Sequence, residues 1–420
     1  MKTARTRVVN LVCLILAGEM IFSLPFHITR YFRPSFLETF SLSNAALGDV
    51  FALYGVIAML SYFPGGLLAD RFSARGLLAF SLLATAAGGL YLASIPGIFG
   101  LRVLFAYWGL TTILLFWAAL LRATREWGGS TQQGRAFGLL DGGRGLSAAI
   151  AATIAVGLFS LVVGDQVDAL SAAERRAGMQ TVFYFYSAVT ALVAVLCWFF
   201  VRENTDSNAP AQAVSRRVRE VVSNPCVWLQ AAIVLTAYCA YKGLDNYGVY
   251  MVDVLQIEEV RAAELMALSA YLRPLGAIAA GFISDRFRPS LVIASLFASL
   301  ALIYVLLANL APNSTGLAII VLNLWISFVA VFALRGVYFA LLQEGRVARA
   351  QTGTAIGVVS VVGFTPDIFF YAIGGRLLDQ NPGIVGHQHY FGMLAAIALV
   401  GLIASIVLVL LVKTEKPAVR

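Results

Sequence analysis

Roughly a dozen stretches of about 20 mostly apolar residues, separated by short polar breaks, run the length of this chain, and about 20 is what a helix needs to cross the hydrocarbon core of a bilayer. Runs such as 291–310 and 390–412 are apolar on nearly every face. A transmembrane strand would instead alternate apolar and polar over about ten residues. The chain therefore reads as a polytopic helical membrane protein with the lipid bilayer as its solvent. Composition agrees: of 420 residues, 60% are hydrophobic and 12% charged, against about 45–50% and about 25% in soluble domains. That excludes an ordinary soluble enzyme and a disordered chain. The net charge of +8 does not imply a nucleic-acid partner, because the cations are dispersed among loops rather than gathered in a stripe.

Helices are expected near 8–30, 46–68, 76–95, 98–121, 136–161, 181–201, 226–252, 261–283, 289–309, 316–341, 352–375 and 388–412. The basic start with Lys2, Arg5 and Arg7 resembles a signal peptide, but no small-residue cleavage pattern follows, and Glu19 and Pro25 interrupt the apolar run. A retained first helix fits better. With both termini inside, nineteen basic residues fall on the cytoplasmic side and seven on the other (Arg30, Arg33, Arg102, Arg175, Arg176, Arg261 and Arg376), as the positive-inside rule requires. Short loops suit a bacterial inner (plasma) membrane. Cys13, Cys197, Cys226 and Cys239 form no CxxC pair, so neither a disulfide framework nor a metal site is inferred. His27, His387 and His389 lie near expected helix ends, and the His387/His389 spacing reads as a solvated loop in preference to a metal site. No cofactor is implied.

The longest polar stretch, 202–224, divides the chain into an N-terminal bundle, 1–201, and a C-terminal bundle, 225–420. Internal repeats support the division. Gly66-Leu67-Leu68-Ala69-Asp70-Arg71-Phe72 recurs as Gly281-Phe282-Ile283-Ser284-Asp285-Arg286-Phe287, and Asp49 matches Glu264 at the same offset. Gln132-Gln133-Gly134-Arg135-Ala136-Phe137-Gly138 recurs as Gln351-Thr352-Gly353-Thr354-Ala355-Ile356-Gly357. The expected fold is an all-α membrane protein of twelve transmembrane helices in two pseudo-symmetric six-helix halves, an arrangement used by transporters built from parallel repeats.

On these residues the chain resembles the major facilitator superfamily over nearly its whole length. That family's loop motif after helix two, G-x-L-A-D-R-x-G-R-K, is matched by Gly66, Leu68, Ala69, Asp70, Arg71 and Arg75, with Ser73 and Ala74 departing from it. Physically, Gly66 and Gly281 would permit close helix approach, Asp70 and Asp285 would pair or cap, and Arg71, Arg75 and Arg286 would stay cytoplasmic. Together they form a candidate gating latch, against the plainer reading of the arginines as topology anchors. Within the superfamily the chain looks most similar to the organophosphate:phosphate antiporter branch, through 240–247 in helix seven and Phe332-Ala333-Leu334-Arg335-Gly336 in helix ten. The resemblance implies Lys242 at or beside that branch's phosphate-binding arginine, and Arg144 near its substrate-facing histidine. The branch's helix-one arginine has no counterpart, since Glu19 and Phe26 stand there and Arg30 lies towards the outer end.

Ionisable residues inside spans are costly and by default mark function. Lys242, Arg144, Arg335 and Arg273, with the aromatics Tyr241 and Tyr247, are candidate substrate contacts, since guanidinium groups suit carboxylate or phosphate bidentately. Glu19, Asp245, Asp367 and Asp141 are candidate proton-coupling or ion-pairing acids. Asp245 shares a helical face with Lys242 and Asp141 with Arg144, so local neutralisation competes with a functional role; Asp367 is a candidate mate for Arg273 or Arg335. The expectation is a monomeric secondary transporter, symporter or antiporter, moving a small organic anion with protons or a counter-anion by rocker-switch alternating access. A proton-driven exporter of cationic or amphipathic compounds and a non-transporting sensor are the rivals. An intramembrane enzyme is disfavoured, because no HExxH, GxSxG or catalytic carboxylate pair is present.

Overall fold

The structure is a computed structural model that describes residues 2–128, 133–164, 171–201, 219–312, 317–345 and 352–414, without the side chains of 2–6, 63, 70, 133–135, 137, 285, 343, 352–354, 413 and 414. Most of the expected linker and the carboxylates of Asp70 and Asp285 lie outside the described residues. All regular structure among the described residues is helical. Eleven helices are long and apolar enough to cross a membrane, and twelve if the bent pair Arg7–Met20 and Ser23–Tyr31 counts as one span.

In chain order the helices are α1 (Lys2–Met20), α2 (Ile28–Tyr31), α3 (Arg33–Phe40), α4 (Asn44–Arg71), α5 (Ala74–Ala93), α6 (Ile98–Gly109), α7 (Ala118–Gly128), α8 (Gln133–Val163) and α9 (Ala172–Phe200). They continue as α10 (Pro225–Gly243), α11 (Tyr247–Asp253), α12 (Glu259–Ser269), α13 (Leu272–Arg286), α14 (Pro289–Asn309), α15 (Leu317–Val337), α16 (Leu341–Glu344), α17 (Thr352–Gly363), α18 (Pro366–Gln380) and α19 (Ile384–Thr414). The sixth span, expected from 181, begins at Ala172 because Ser171 and Glu174 form a reciprocal capping box that satisfies the first amide groups.

Several expected spans are broken, and each break has a local cause. Between α1 and α2, Ser23–His27 is π-helical, with the Ile28 N–H reaching back to the Ser23 carbonyl. Pro25 inside this turn has no N–H to donate, and the flanking helices bend by 41°. Span four carries a second π-helical segment, Leu110–Trp117, where Thr112 donates to the Trp108 carbonyl at 2.7 Å. Span seven changes from α10 to α11 through a tight turn, Leu244–Asn246. Span eleven restarts at Pro366, which stands in the first turn of α18, where its missing N–H costs nothing.

The chain forms two compact units. The first takes Met1–Ser207, Asp245–Tyr271 and Tyr371–Arg376, and the second takes Asn208–Leu244, Leu272–Phe370 and Leu377–Arg420. In the first unit, α4 and the segment 371–376 pass backbone to backbone. A Cβ at Gly48 would collide with the Tyr371 carbonyl, and one at Gly375 with the Asn44 carbonyl. Phe51 stacks on Tyr371 at 4.3 Å between ring centroids, and Arg376 pairs with Asp49 at 2.9 Å.

The motif glycines behave differently from expectation. A Cβ at Gly66 or Gly281 would meet nothing within 4 Å, so these two do not serve close helix approach. Their neighbours do: a Cβ at Gly65 would stand 2.9 Å from the Leu114 carbonyl, and one at Gly276 equally close to the Val329 carbonyl. Arg71 and Arg286 are exposed, as cytoplasmic anchors would be, and Arg75 lies 5.2 Å over the Trp198 ring. Arg122, not singled out from sequence, donates to the Ala69 carbonyl near the end of α4.

Gly65→Val is therefore expected to lower stability by about 1–3 kcal/mol through overpacking against backbone that cannot yield, whereas Gly66→Ala should stay within about 0.5 kcal/mol of wild type. Thermal unfolding of the purified protein in detergent checks both.

Candidate functional site

Two clusters of buried ionisable side chains stand out, one in each unit. In the first unit the π-helical turn of span one brings His27 back towards Glu19. The His27 imidazole Nε2 lies 3.2 Å from Glu19 Oε1, and Arg144 Nε of α8 lies 3.0 Å from Glu19 Oε2. Both carboxylate oxygens are thus engaged, by groups from two different spans. The side chains of Glu19 and His27 are 2% and 6% exposed, while that of Arg144 keeps 13%. Phe22 and Trp117 flank the guanidinium at 5.8 and 5.9 Å. Tyr31 and Tyr186 face the imidazole at 5.9 and 6.5 Å between ring centroids.

A solvated loop was expected at His387 and His389, and the structure corrects this for one of them: His387 is buried, whereas His389 is exposed. His27 lies buried inside a span, as the expected helix 8–30 implies. The carboxylate on Arg144 is that of Glu19 rather than a local partner such as Asp141, which is half-buried on the same helix.

In the second unit, Lys242 near the end of α10 pairs with Asp367 in the first turn of α18 at 2.8 Å. The Tyr238 hydroxyl, one turn before Lys242, donates to the same carboxylate at 3.1 Å from each oxygen. Asp367 stands in the first turn of α18, where the unpaired amides and dipole of a helix suit an acidic side chain. Arg335 of α15 lies flat against Tyr241, its guanidinium carbon 3.8 Å from the ring centroid. Its buried Nη1 has no hydrogen-bond acceptor among the described residues. Arg273 is buried on α13 of the same unit.

Two expected pairings are corrected. The acid on Lys242 within its unit is Asp367. Asp245 pairs with Arg30, and the Tyr371 hydroxyl donates to its second oxygen, all inside the first unit. Asp367 is the mate of Lys242 rather than of an arginine. Tyr247, expected near substrate, is fully buried in the first unit. Arg175 and Glu259 form another pair there at 2.6 Å, with Ser35 donating to Glu259 at 2.7 Å.

Tyr238 and His27 were missed by sequence reasoning. Tyr238 had a signal in its spacing, since 238, 241 and 242 share one helical face. His27 had none beyond Pro25, because a helical wheel drawn through the π turn misplaces everything after it.

The sequence profile of the Major Facilitator Superfamily matches residues 15–370. The chain is 28% identical over 419 residues to the inner membrane protein YihN of Escherichia coli (strain K12), covering 96% of this chain and 95% of that one. It is 22% identical over 392 residues to a hexuronate transporter of Bacillus subtilis (strain 168), covering 88% of each. Among solved structures, a bacterial homologue of the human lysosomal transporter Spinster superposes with a TM-score of 0.75 at 16% identity, over 99% of both chains.

Removing one partner of a buried pair leaves the other charge uncompensated, at a cost of about 3–5 kcal/mol, whereas replacing both with apolar groups is often neutral. Lys242→Met and Asp367→Leu should therefore each lower thermal stability, and the double variant should recover most of the loss. A double-mutant cycle of unfolding midpoints in detergent measures it.

Proposed function

The chain belongs to the Major Facilitator Superfamily and is a multi-pass secondary transporter of the inner membrane, not an enzyme, and we propose that its cargo is a small organic anion of the sugar-acid kind. The observation that carries this is Arg335. A buried guanidinium nitrogen without an acceptor costs about 1–3 kcal/mol, and the Tyr241 stack holds the group in place without consuming its charge. A carboxylate would complete it. Lys242 is already matched by Asp367, which leaves Arg335 as the recognition residue of its unit and Lys242 with Asp367 as a switchable pair beside it. Glu19 and Asp245, the acids a cation exporter would need to expose, are both held by arginines, which supports anion over cation.

The hexuronate transporter among the relatives supports a sugar acid over other anions. The resemblance of 240–247 and 332–336 to the organophosphate:phosphate antiporter branch keeps a phosphorylated sugar as the variant of this proposal that one experiment separates. The remaining parts of the proposal are six-helix halves at 1–201 and 225–420 joined by 202–224, alternating access as the transport mode, coupling to protons or a counter-anion, a gating role for the motif after span two and its repeat, and a working monomer.

Thermal shift of the purified protein against glucuronate, glucose 6-phosphate and tetraphenylphosphonium tests the cargo class. Glucuronate is expected to stabilise wild type, and Arg335→Gln to weaken its binding about 10- to 150-fold, the equivalent of a charge-assisted hydrogen bond worth about 1.5–3 kcal/mol. Stabilisation by the sugar phosphate instead would move the chain to the organophosphate branch. Stabilisation by the cation alone, or glucuronate binding indifferent to Arg335, would overturn the proposal.

A further inference from the structure

The acid on span one is shared rather than free, and that changes which group can carry a proton. Glu19 gives one oxygen to His27 and the other to Arg144. An arginine keeps its proton at all working pH values, and its contact with Glu19 occupies one carboxylate oxygen. Of the three, the imidazole is the side chain whose ordinary pKa, about 6.5, lies in the physiological range. The phenol rings of Tyr31, on the segment that follows it, and of Tyr186 on α9 also face His27. Arg144 of α8 acts on it through the shared carboxylate.

Charge arithmetic then makes the triad a coupled device. With neutral His27 the set Glu19, His27 and Arg144 sums to zero. Protonation takes it to +1 in a site where unbalanced charge is expensive. Imidazolium draws the Glu19 carboxylate to itself, which loosens its hold on Arg144. Arg144 is the most exposed of the three and stands between Phe22 and Trp117, so it is the member that an arriving ligand can reach. A monoanion bound there returns the total to zero. We propose that Glu19, His27 and Arg144 form a proton-and-monoanion co-binding site, in which His27 takes the proton and Arg144 the anion. The inference rests on the anion proposal above for the identity of its ligand, but its proton half stands on the triad alone.

The chain has three histidines, so histidine-selective isotope labelling places three ring signals in the magnetic-resonance spectrum of the protein in nanodiscs. His27→Asn assigns one of them by loss. If that variant fails to fold, His387→Asn and His389→Asn assign it by elimination in otherwise intact protein. In ligand-free wild type, the His27 signal is expected to titrate between pH 5 and 8, with its midpoint displaced by more than half a unit in Glu19→Gln. Adding glucuronate should displace the wild-type midpoint as well, with uptake of about one proton per anion bound in weakly buffered solution and none in His27→Asn.

A His27 ring that holds one state from pH 5 to 9 overturns the inference whatever glucuronate does. Glucuronate that binds without proton uptake, or with uptake that survives His27→Asn, also overturns it and leaves the anion proposal standing. A His27 titration that responds to Glu19→Gln in a protein that binds no glucuronate supports the proton site and removes the proposed cargo instead.

Discussion

An ion inside hydrocarbon must find an opposite charge, and the structure is organised around that requirement. In the first unit Glu19 is met by Arg144 and His27 and Asp245 by Arg30, and nearer the helix ends Glu259 is met by Arg175 and Asp49 by Arg376. In the second, Asp367 is met by Lys242. Each of these pairings except Glu19 with His27 joins different spans, so the charges decide which spans are neighbours as well as balancing one another. The apolar surface cannot do this alone, because lipid tails are as apolar as leucine and give no preference for one helix neighbour over another. The backbone seam of Gly48 and Gly375 shows the other half of the logic, since an ion pair such as Asp49 with Arg376 forms where small residues let two spans come close.

Helix irregularities decide where those charges point. An unbroken helix from 8 to 30 would set Glu19 and His27 eight positions apart, just over two turns. The π turn around Pro25 and the 41° bend change that register, and the imidazole reaches the carboxylate. The tight turn at Leu244–Asn246 interrupts the helical register of span seven, and the ionisable residues around it find partners from other spans, Arg30 for Asp245 and Asp367 for Lys242. At Pro366 the chain restarts a helix whose first turn places Asp367 where Lys242 and Tyr238 converge. Irregular backbone in a membrane helix is tolerated where protein groups satisfy what it frees, as Thr112 does by donating to the Trp108 carbonyl and Ser23 by donating to the Met20 carbonyl at 2.6 Å.

The architecture was legible in the sequence because hydrophobic length and charge bias are one-dimensional properties. Span nine, expected at 289–309, is α14 with the same bounds. Most of the charged residues that build the two clusters were legible too, since an ionisable side chain within an apolar run is conspicuous. Their partners were not. The pairs of Arg144 with Glu19 and of Lys242 with Asp367 span 125 positions in each case, and local spacing suggested Asp141 and Asp245 instead. Bias counting treated Arg30, Arg175, Arg261 and Arg376 as outer-side cations, yet each of them pairs with an acid.

Lys242 and Arg335 show two ways of keeping a cation in one helical unit, and the difference bears on what each can do. Lys242 is a compact ammonium held by a carboxylate, so its charge is already balanced and becomes available only when Asp367 is neutralised or drawn away. Arg335 is held by the face of Tyr241. A cation–π contact supplies roughly 0.5–2 kcal/mol of attraction but no countercharge, and it leaves the rim of the guanidinium open to acceptors. A carboxylate partner from the protein would hold the guanidinium more strongly and would have to be displaced before any other acceptor could reach it. Stacking on tyrosine positions the donor without adding a countercharge, whereas Asp367 both positions and balances Lys242.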